Sequence, residues 1–234
     1  MAKNSLSLDG IVVDIGNSDY KVAFVSQGEI HSIHRTKSCP NLIKYDVPII
    51  ACSVVPRRTA RLQNKVHVHW ITHADLPILS PTNVGVDRLV ALYAAKTLYK
   101  AETVLVIDVG TFMTLSVLHQ NVFVGGYIIP GPHTMMASYG EGAQLHKDQI
   151  WTPPRKGLLP QDTLTAMQVG TTEILQRGLT SLIAEIKSQY PNILVVGTGG
   201  SAIDLLSPIA DVAIINPTLI LEGLVRLAKA KQLF

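Results

Sequence analysis

Two short segments place an acidic residue and a glycine directly after an apolar stretch. They are Asp14-Ile-Gly16-Asn17-Ser18 and Asp108-Val-Gly110-Thr111. Glycine lets backbone amides approach a phosphate closely, and a carboxylate at a strand end can hold a cation that bridges phosphate oxygens. Lys21 follows Asp14 closely and can neutralise phosphate charge. The pattern indicates a site for a phosphorylated ligand and a metal ion.

A single turn of this type is more often an ordinary hairpin turn, but the sequence has two, each opening one half of the chain. A third segment, Val196-Gly197-Thr198-Gly199-Gly200, ends a predicted strand in small residues before a helix. Such a connection leaves room for a nucleotide and points a helix N-terminus at it, although alone it is equally typical of a plain strand-to-helix link. The three segments together favour nucleotide binding.

The segment Gly85-Val-Asp87-Arg88 lies at the start of a predicted helix. Asp87 could accept a proton, and we expect the helix N-terminus to keep it ionised. Arg88 could pair with a carboxylate in a bidentate contact. The alternative is a helix-capping acid beside a solvated base.

Short apolar runs bounded by turn residues predict strands that alternate with helices. The predicted strands and apolar runs are 11–15, 20–25, 30–35, 47–55, 66–71, 104–109, 114–118, 122–129, 193–196 and 212–215. The predicted helices begin near residue 56 and cover 85–100, 134–144, 162–189, 201–206 and 217–231. Both halves begin with strand, Asp-x-Gly turn and strand, so we expect an α/β protein with two mixed sheets and a boundary near residue 102.

Composition narrows the class of protein. Apolar residues make up 47% and charged residues 16% of the 234, which is typical of a globular chain. The formal net charge of +3 is too small to indicate binding to nucleic acid or to a membrane surface. No apolar run is long enough to span a membrane. The first ten residues do not resemble a signal peptide. The two cysteines form no CxxC pattern, which suits a reducing compartment. We therefore expect a cytoplasmic location.

The three glycine-containing segments resemble the phosphate-1, phosphate-2 and adenosine segments of the actin-like ATPase and sugar-kinase superfamily. The chain more specifically resembles the type III pantothenate kinases, through further segments that occur in family order between residues 11 and 225. These segments are Ser53-Val54-Val55-Pro56, Gly85-Val-Asp87-Arg88, Gly125-Gly126-Tyr127-Ile128-Ile129-Pro130-Gly131 and Pro217-Thr-Leu219-Ile-Leu-Glu-Gly223-Leu224. Each segment is a weak match alone, and the ordered set is specific.

The resemblance implies two ribonuclease-H-like subdomains with mixed sheets flanked by helices, residues 1–102 and 103–234, with the final helix able to pack back on the first. It also implies the substrates ATP and pantothenate, with magnesium and a monovalent cation, potassium or ammonium. The family is dimeric with its substrate site close to the interface, so we expect a homodimer.

Roles follow from the same resemblance, residue by residue. ATP would be bound by Asp14, Gly16, Asn17, Ser18, Lys21, Thr111 and Gly199. Pantothenate would be bound by Gly85, Val86, Asp87, Arg88 and Thr163, with Asp87 as the general base. Magnesium would be held at Asp14 and the monovalent cation at Asp108.

The sequence departs from the family pattern in a few places. Ile78 stands where the family commonly has Tyr, Ser80 and Asp162 stand where it has Asn, and Phe112-Met113 follow the second turn. Two alternatives therefore stay open: a kinase for another small acceptor, and a non-catalytic regulator that binds nucleotide. The retained acidic and basic residues favour the enzyme, since a degenerate site has no physical need for them.

Overall fold

The computed structural model describes residues 7–141, 150–154 and 159–234. The chain divides into two units. One takes the chain up to Lys100, with Asn121–Phe123 and Thr218–Phe234; the other takes Ala101–Gln120 and Val124–Pro217.

The first unit is built on a five-stranded mixed sheet. Its strands are β1 (Gly10–Ile15), β2 (Tyr20–Ser26), β3 (Glu29–Thr36), β4 (Ile49–Ser53) and β5 (His69–Trp70), in the order β3-β2-β1-β4-β5. The first three strands are antiparallel neighbours, whereas β4 pairs parallel with both β1 and β5. Helices α1 (Pro56–Gln63) and α2 (Val86–Tyr99) follow β4 and β5.

The second unit repeats this topology. Its strands are β6 (Thr103–Val109), β7 (Phe112–His119), β8 (Val122–Pro130), β9 (Leu194–Thr198) and β10 (Ile214–Ile215), in the order β10-β9-β6-β7-β8. Its helices are α3 (Pro132–Ser138), α4 (Thr163–Gln189) and α5 (Ala202–Leu206). Strands β6 and β1 occupy equivalent central positions, so the expected repeat exists at the level of topology. The predicted α/β class with two mixed sheets is confirmed.

The central strands position the turns because they are the most deeply buried elements. All six residues of β1 are buried, as a strand flanked on both sides by neighbours and covered on both faces requires. Edge strand β3 instead has only exposed and half-buried residues. Each Asp-x-Gly turn therefore leaves a rigid strand at a fixed place.

Helix α6 (Leu219–Ala230) returns to the first unit and lies on α2. Its Gly223 allows the close approach: a Cβ there would lie 2.9 Å from the Val90 carbonyl oxygen and 3.0 Å from the Ala94 Cβ. The Gly-Leu pair near the C-terminus thus serves helix packing.

Two elements differ from their predicted extents. Strand β5 has two residues where 66–71 was expected, because Lys65 and Val66 donate backbone hydrogen bonds to Leu62 and prolong the turn after α1. Helix α3 begins at Pro132 rather than at 134, since proline suits the first turn, and a 3-10 turn at Tyr139–Glu141 follows it. The predicted positions 142–144 lie outside the described residues. Within the described ranges, no helix combines the length and apolar character that crossing a membrane requires.

Candidate active site

The first turn presents a buried carboxylate beside a lysine. Asp14 is the penultimate residue of β1 and is 3% exposed. Lys21 is its cross-strand neighbour on β2, and the Lys21 Nζ lies 2.8 Å from the Asp14 Oδ2. Between them the turn is closed by a hydrogen bond of 3.0 Å from the Gly16 amide to the Asp19 carbonyl. The structure therefore brings together Asp14, Lys21 and the turn that the sequence predicted as a phosphate site.

A buried cysteine lies next to this carboxylate, and sequence reasoning gave it no role. Cys52 is the parallel neighbour of Asp14 on β4, with its Sγ 4.0 Å from the Asp14 Oδ1. Burial, followed by the charges of Asp14 and Asp87, raises the pKa of the Cys52 thiol well above its ordinary value. The raised pKa keeps the Cys52 thiol neutral. Because only the thiolate is nucleophilic, Cys52 lines the site without acting as a nucleophile.

Asp87 lies in the first turn of α2, which Gly85 precedes as N-cap. The Asp87 Oδ1 accepts a hydrogen bond of 2.8 Å from the Arg88 amide. A Cβ on Gly85 would lie 2.5 Å from this oxygen and 3.2 Å from the Val54 Cγ1, so a side chain at Gly85 would displace the carboxylate. The Asp87 carboxylate can therefore occupy this position because residue 85 is a glycine.

The surroundings of Asp87 in the fold shift its pKa. Burial, together with the nearby charge of Asp14, raises the pKa of the Asp87 carboxyl, and the hydrogen bond and charge of Arg88 only partly oppose this. Burial is the largest of these contributions, and the net shift of the pKa is upward. That Asp87 is ionised when it accepts the proton stays a prediction. A raised pKa brings the carboxyl closer to the range in which it accepts a proton effectively.

Arg88 lies over an aromatic ring from a different hairpin. Its guanidinium carbon is 5.2 Å from the centroid of Phe123, and burial lowers the pKa of Arg88 from its ordinary value. Backbone hydrogen bonds between Leu79 and residues Asn121 and Phe123 hold the backbone that carries this ring. Phe123 has no local sequence signal, because the contact joins segments far apart in the chain.

Val86 and Ile78 both belong to the interior of the first unit. Val86 is 8% exposed, so the structure places this predicted pantothenate residue mainly in the core. Ile78, which replaces the usual family Tyr, is 9% exposed. An apolar side chain suits that buried position.

In the second unit, Asp108 and the turn at Gly110 are held by two later segments. The Thr111 carbonyl accepts hydrogen bonds from the Gly131 amide at 3.0 Å and from the Thr134 hydroxyl at 2.5 Å. A Cβ on Gly131 would overlap the Gly110 carbonyl oxygen. The Pro-Gly end of the family segment therefore lets β8 approach the turn.

Gly199 lies directly against Asp108. Its φ is +100°, and a Cβ would overlap the Asp108 Oδ1 and lie 2.6 Å from both the amide nitrogen and the carbonyl oxygen of Val109. The Ser201 amide then donates to the Val109 carbonyl at 3.2 Å. The structure thus brings together Asp108 and Gly199, which were predicted from separate segments.

Thr163 is an exposed residue at the start of α4. The preceding Asp162 caps this helix, because its Oδ1 accepts a hydrogen bond of 2.9 Å from the Thr165 amide. That hydrogen bond lowers the pKa of Asp162. Asp caps helices as well as Asn does, so the helix keeps its N-cap with Asp at this position.

The donor set fits a metal held jointly with a phosphorylated ligand. Among the described residues, no group of three or more His, Cys, Asp or Glu side chains could hold a metal ion unaided. Asp14 offers one hard carboxylate donor at the first turn. Magnesium commonly binds in this manner, through one or two carboxylates, substrate phosphates and water.

A family model described as type III pantothenate kinase matches residues 10–186. The chain belongs to the type III pantothenate kinase family. A type III pantothenate kinase from Desulfovibrio desulfuricans is 36% identical over 152 residues, which are 63% of this chain and 57% of that relative. The relative from Phocaeicola vulgatus is 27% identical over 237 residues and aligns over 93% of this chain and 96% of its own length.

Solved structures show the fold of this chain. A conserved Baf family protein from Campylobacter jejuni has a TM-score of 0.67 and 21% identity, covering 96% of this chain and 100% of that one. A ROK family glucokinase from Streptomyces griseus has a TM-score of 0.57 and 13% identity, covering 96% and 100%. The predicted family and the actin-like ATPase and sugar-kinase fold are both confirmed.

Proposed function

We propose that the protein phosphorylates pantothenate with ATP, giving 4′-phosphopantothenate and ADP in the first step of coenzyme A biosynthesis. Membership of the type III pantothenate kinase family supports this reaction. The observation that carries it is Asp87: a carboxyl with a raised pKa, held by Gly85 and influenced by the charge of Asp14. That environment suits a group that takes a proton from an alcohol.

The chemical step needs little covalent work from the protein. The hydroxyl oxygen of pantothenate bonds to the γ-phosphorus, the bond from that phosphorus to the β–γ bridging oxygen breaks, and ADP leaves. The hydroxyl proton passes to an oxygen of Asp87. Arg88, a cation held on the Phe123 ring, would pair with the carboxylate of pantothenate.

We assign ATP-binding roles within each unit. In the first unit, the amides of Asn17 and Ser18 and the ammonium of Lys21 would contact phosphate oxygens. Gly16, whose amide closes the turn, would let the phosphate approach the backbone. In the second unit, Thr111 and Gly199 would contact the nucleotide. Magnesium, held at Asp14, would supply charge neutralisation on the phosphates. Gly85, Val86 and Thr163 would contribute to the pantothenate site.

Asp108 would hold the monovalent cation. If it does, Asp108→Ala should need at least about ten times more potassium for half-maximal activity, which corresponds to about 1.4 kcal/mol. Potassium titrations of ADP release measure this, with Asp204→Asn on α5 as a control for charge loss in the same unit. An unchanged potassium response in Asp108→Ala would remove Asp108 from the cation site.

The function itself is tested by ADP release from purified protein with magnesium and ATP. Release that requires pantothenate supports the proposed reaction. Release with a different small alcohol but not with pantothenate would identify another acceptor. Bound ATP without turnover on any acceptor would favour the non-catalytic regulator.

We further propose a homodimer. Support comes from β8, an edge strand of the second sheet whose side chains Val124, Tyr127 and Ile128 are 43–60% exposed. An exposed apolar edge strand is a surface that proteins usually cover. Light scattering should give twice the chain mass of 25.4 kDa, and Ile128→Lys should shift it to the monomer; a monomeric wild type would contradict the proposal. The cytoplasmic location stays a prediction.

A further inference from the structure

The first turn of α1 lies beside the first phosphate turn and is joined to it by an arginine. The Arg58 Nη2 donates a hydrogen bond of 2.8 Å to the Ser18 carbonyl. Ser18 lies within the turn that Gly16 and Asp19 close. This hydrogen bond restrains the peptide plane between Ser18 and Asp19. The backbone amides next to that plane would face phosphate.

Arg58 also contacts Tyr20, the residue that follows the turn. Its guanidinium carbon lies 5.1 Å from the centroid of the Tyr20 ring, and the Tyr20 hydroxyl donates back to the Arg58 carbonyl at 3.3 Å. Tyr20 is only 1% exposed, so the ring is a fixed platform. Burial raises the pKa of Tyr20, which keeps the hydroxyl protonated as a donor. Contacts at Ser18 and Tyr20 therefore hold the C-terminal side of the turn.

This arrangement leaves part of the guanidinium unsatisfied. The Arg58 Nη1 is buried, and no described residue accepts a hydrogen bond from it. Buried polar groups are normally paired, and an exception calls for a physical reason. The reason here is geometric: the contacts of the guanidinium with Tyr20 and Ser18 hold Nη1 in a buried position.

We propose that Arg58 is a positioning residue for the nucleotide, which fixes the Gly16–Asp19 turn in its phosphate-binding shape and adds positive charge behind it. Arg58 acts through Ser18 and Tyr20. Lysine could reach the Ser18 carbonyl but could not spread over the ring, since its ammonium is a compact charge on a flexible stem. This inference rests on the proposed role of the first turn in binding ATP phosphates.

The test compares Arg58→Met with Arg57→Met, which removes the same charge from the adjacent, exposed position of α1. Losing a hydrogen bond from a charged group should raise the KM for ATP about 10- to 100-fold in Arg58→Met. The KM for pantothenate should stay within about twofold of wild type in both variants, and Arg57→Met should also keep its KM for ATP. Arg58→Lys should recover part of the ATP affinity.

Equal KM values for ATP in the two methionine variants would overturn the proposal. So would a parallel rise in both KM values with a lower melting temperature, because that is the signature of general destabilisation. If Arg58→Met does not fold, Tyr20→Phe replaces it: the ring stays, the hydroxyl bond to Arg58 is lost, and a smaller rise in the KM for ATP is expected.

Calorimetric titration with magnesium and ADP separates this inference from the proposed reaction. It measures nucleotide binding even if pantothenate is not the acceptor. Weaker ADP binding in Arg58→Met than in Arg57→Met supports the positioning role, and equal binding contradicts it.

Discussion

Asp87→Asn should lower kcat by about 10²–10⁴-fold, the loss expected when a general base is removed. The amide has nearly the shape of the carboxyl and can still accept the hydrogen bond from the Arg88 amide, so Gly85 and Val54 should keep their places. The KM for ATP should therefore change little. Steady-state kinetics with both substrates measures the changes in kcat and in KM separately.

The same variant should be more stable than wild type at neutral pH. Because the pKa of Asp87 is raised in the folded state, its contribution to stability is fully present below the unfolded pKa, about 3.9. That contribution is lost as the pH rises through the higher folded pKa. The melting-temperature difference between Asp87→Asn and wild type should therefore be small near pH 4 and grow as the pH rises.

Asp46→Asn is the matched control, since Asp46 is an exposed acid of the same unit. It should show neither the loss of kcat nor the pH-dependent gain in melting temperature. The wild-type kcat should fall on acidification at a pH above the ordinary carboxyl range. Near-normal turnover in Asp87→Asn would end the assignment of Asp87 as the base.

The topology could be predicted from sequence because it depends on local signals. Each half has an apolar strand, a glycine turn and a returning strand, and the two five-stranded sheets repeat that plan. The starts of α1 and α2 were also predictable, since Pro56 suits a first turn and Gly85-Val-Asp87 has capping chemistry. These features need only a few consecutive residues.

Contacts between distant segments could not be predicted. Arg58 and Ser18 are 40 residues apart, and the partnership of Arg88 with Phe123 depends on where a remote hairpin ends. The upward shift of the Asp87 pKa could not be predicted for a related reason. Its helix position is local, whereas the burial and the charge of Asp14 that dominate it arise only in the fold.

Gly199→Ala should damage the second unit and its nucleotide site together. An L-residue in this left-handed conformation costs about 1–3 kcal/mol from the backbone alone. The added methyl group would also overlap the Asp108 carboxylate and crowd the Val109 backbone. We therefore expect a lower free energy of unfolding, a higher KM for ATP and a weaker response to potassium, measured by denaturant titration and steady-state kinetics.

Gly178→Ala tests whether these effects come from the position rather than from the methyl group. Gly178 lies within α4, where a Cβ meets no atom within 4 Å. Alanine should stabilise that helix by about 0.8–1 kcal/mol and leave both KM values unchanged. Opposite signs of the stability change in the two variants are expected, because only Gly199 combines a positive φ with contact to Asp108. If Gly199→Ala were as stable and as active as Gly178→Ala, the close approach of Gly199 to Asp108 would have no role in the site.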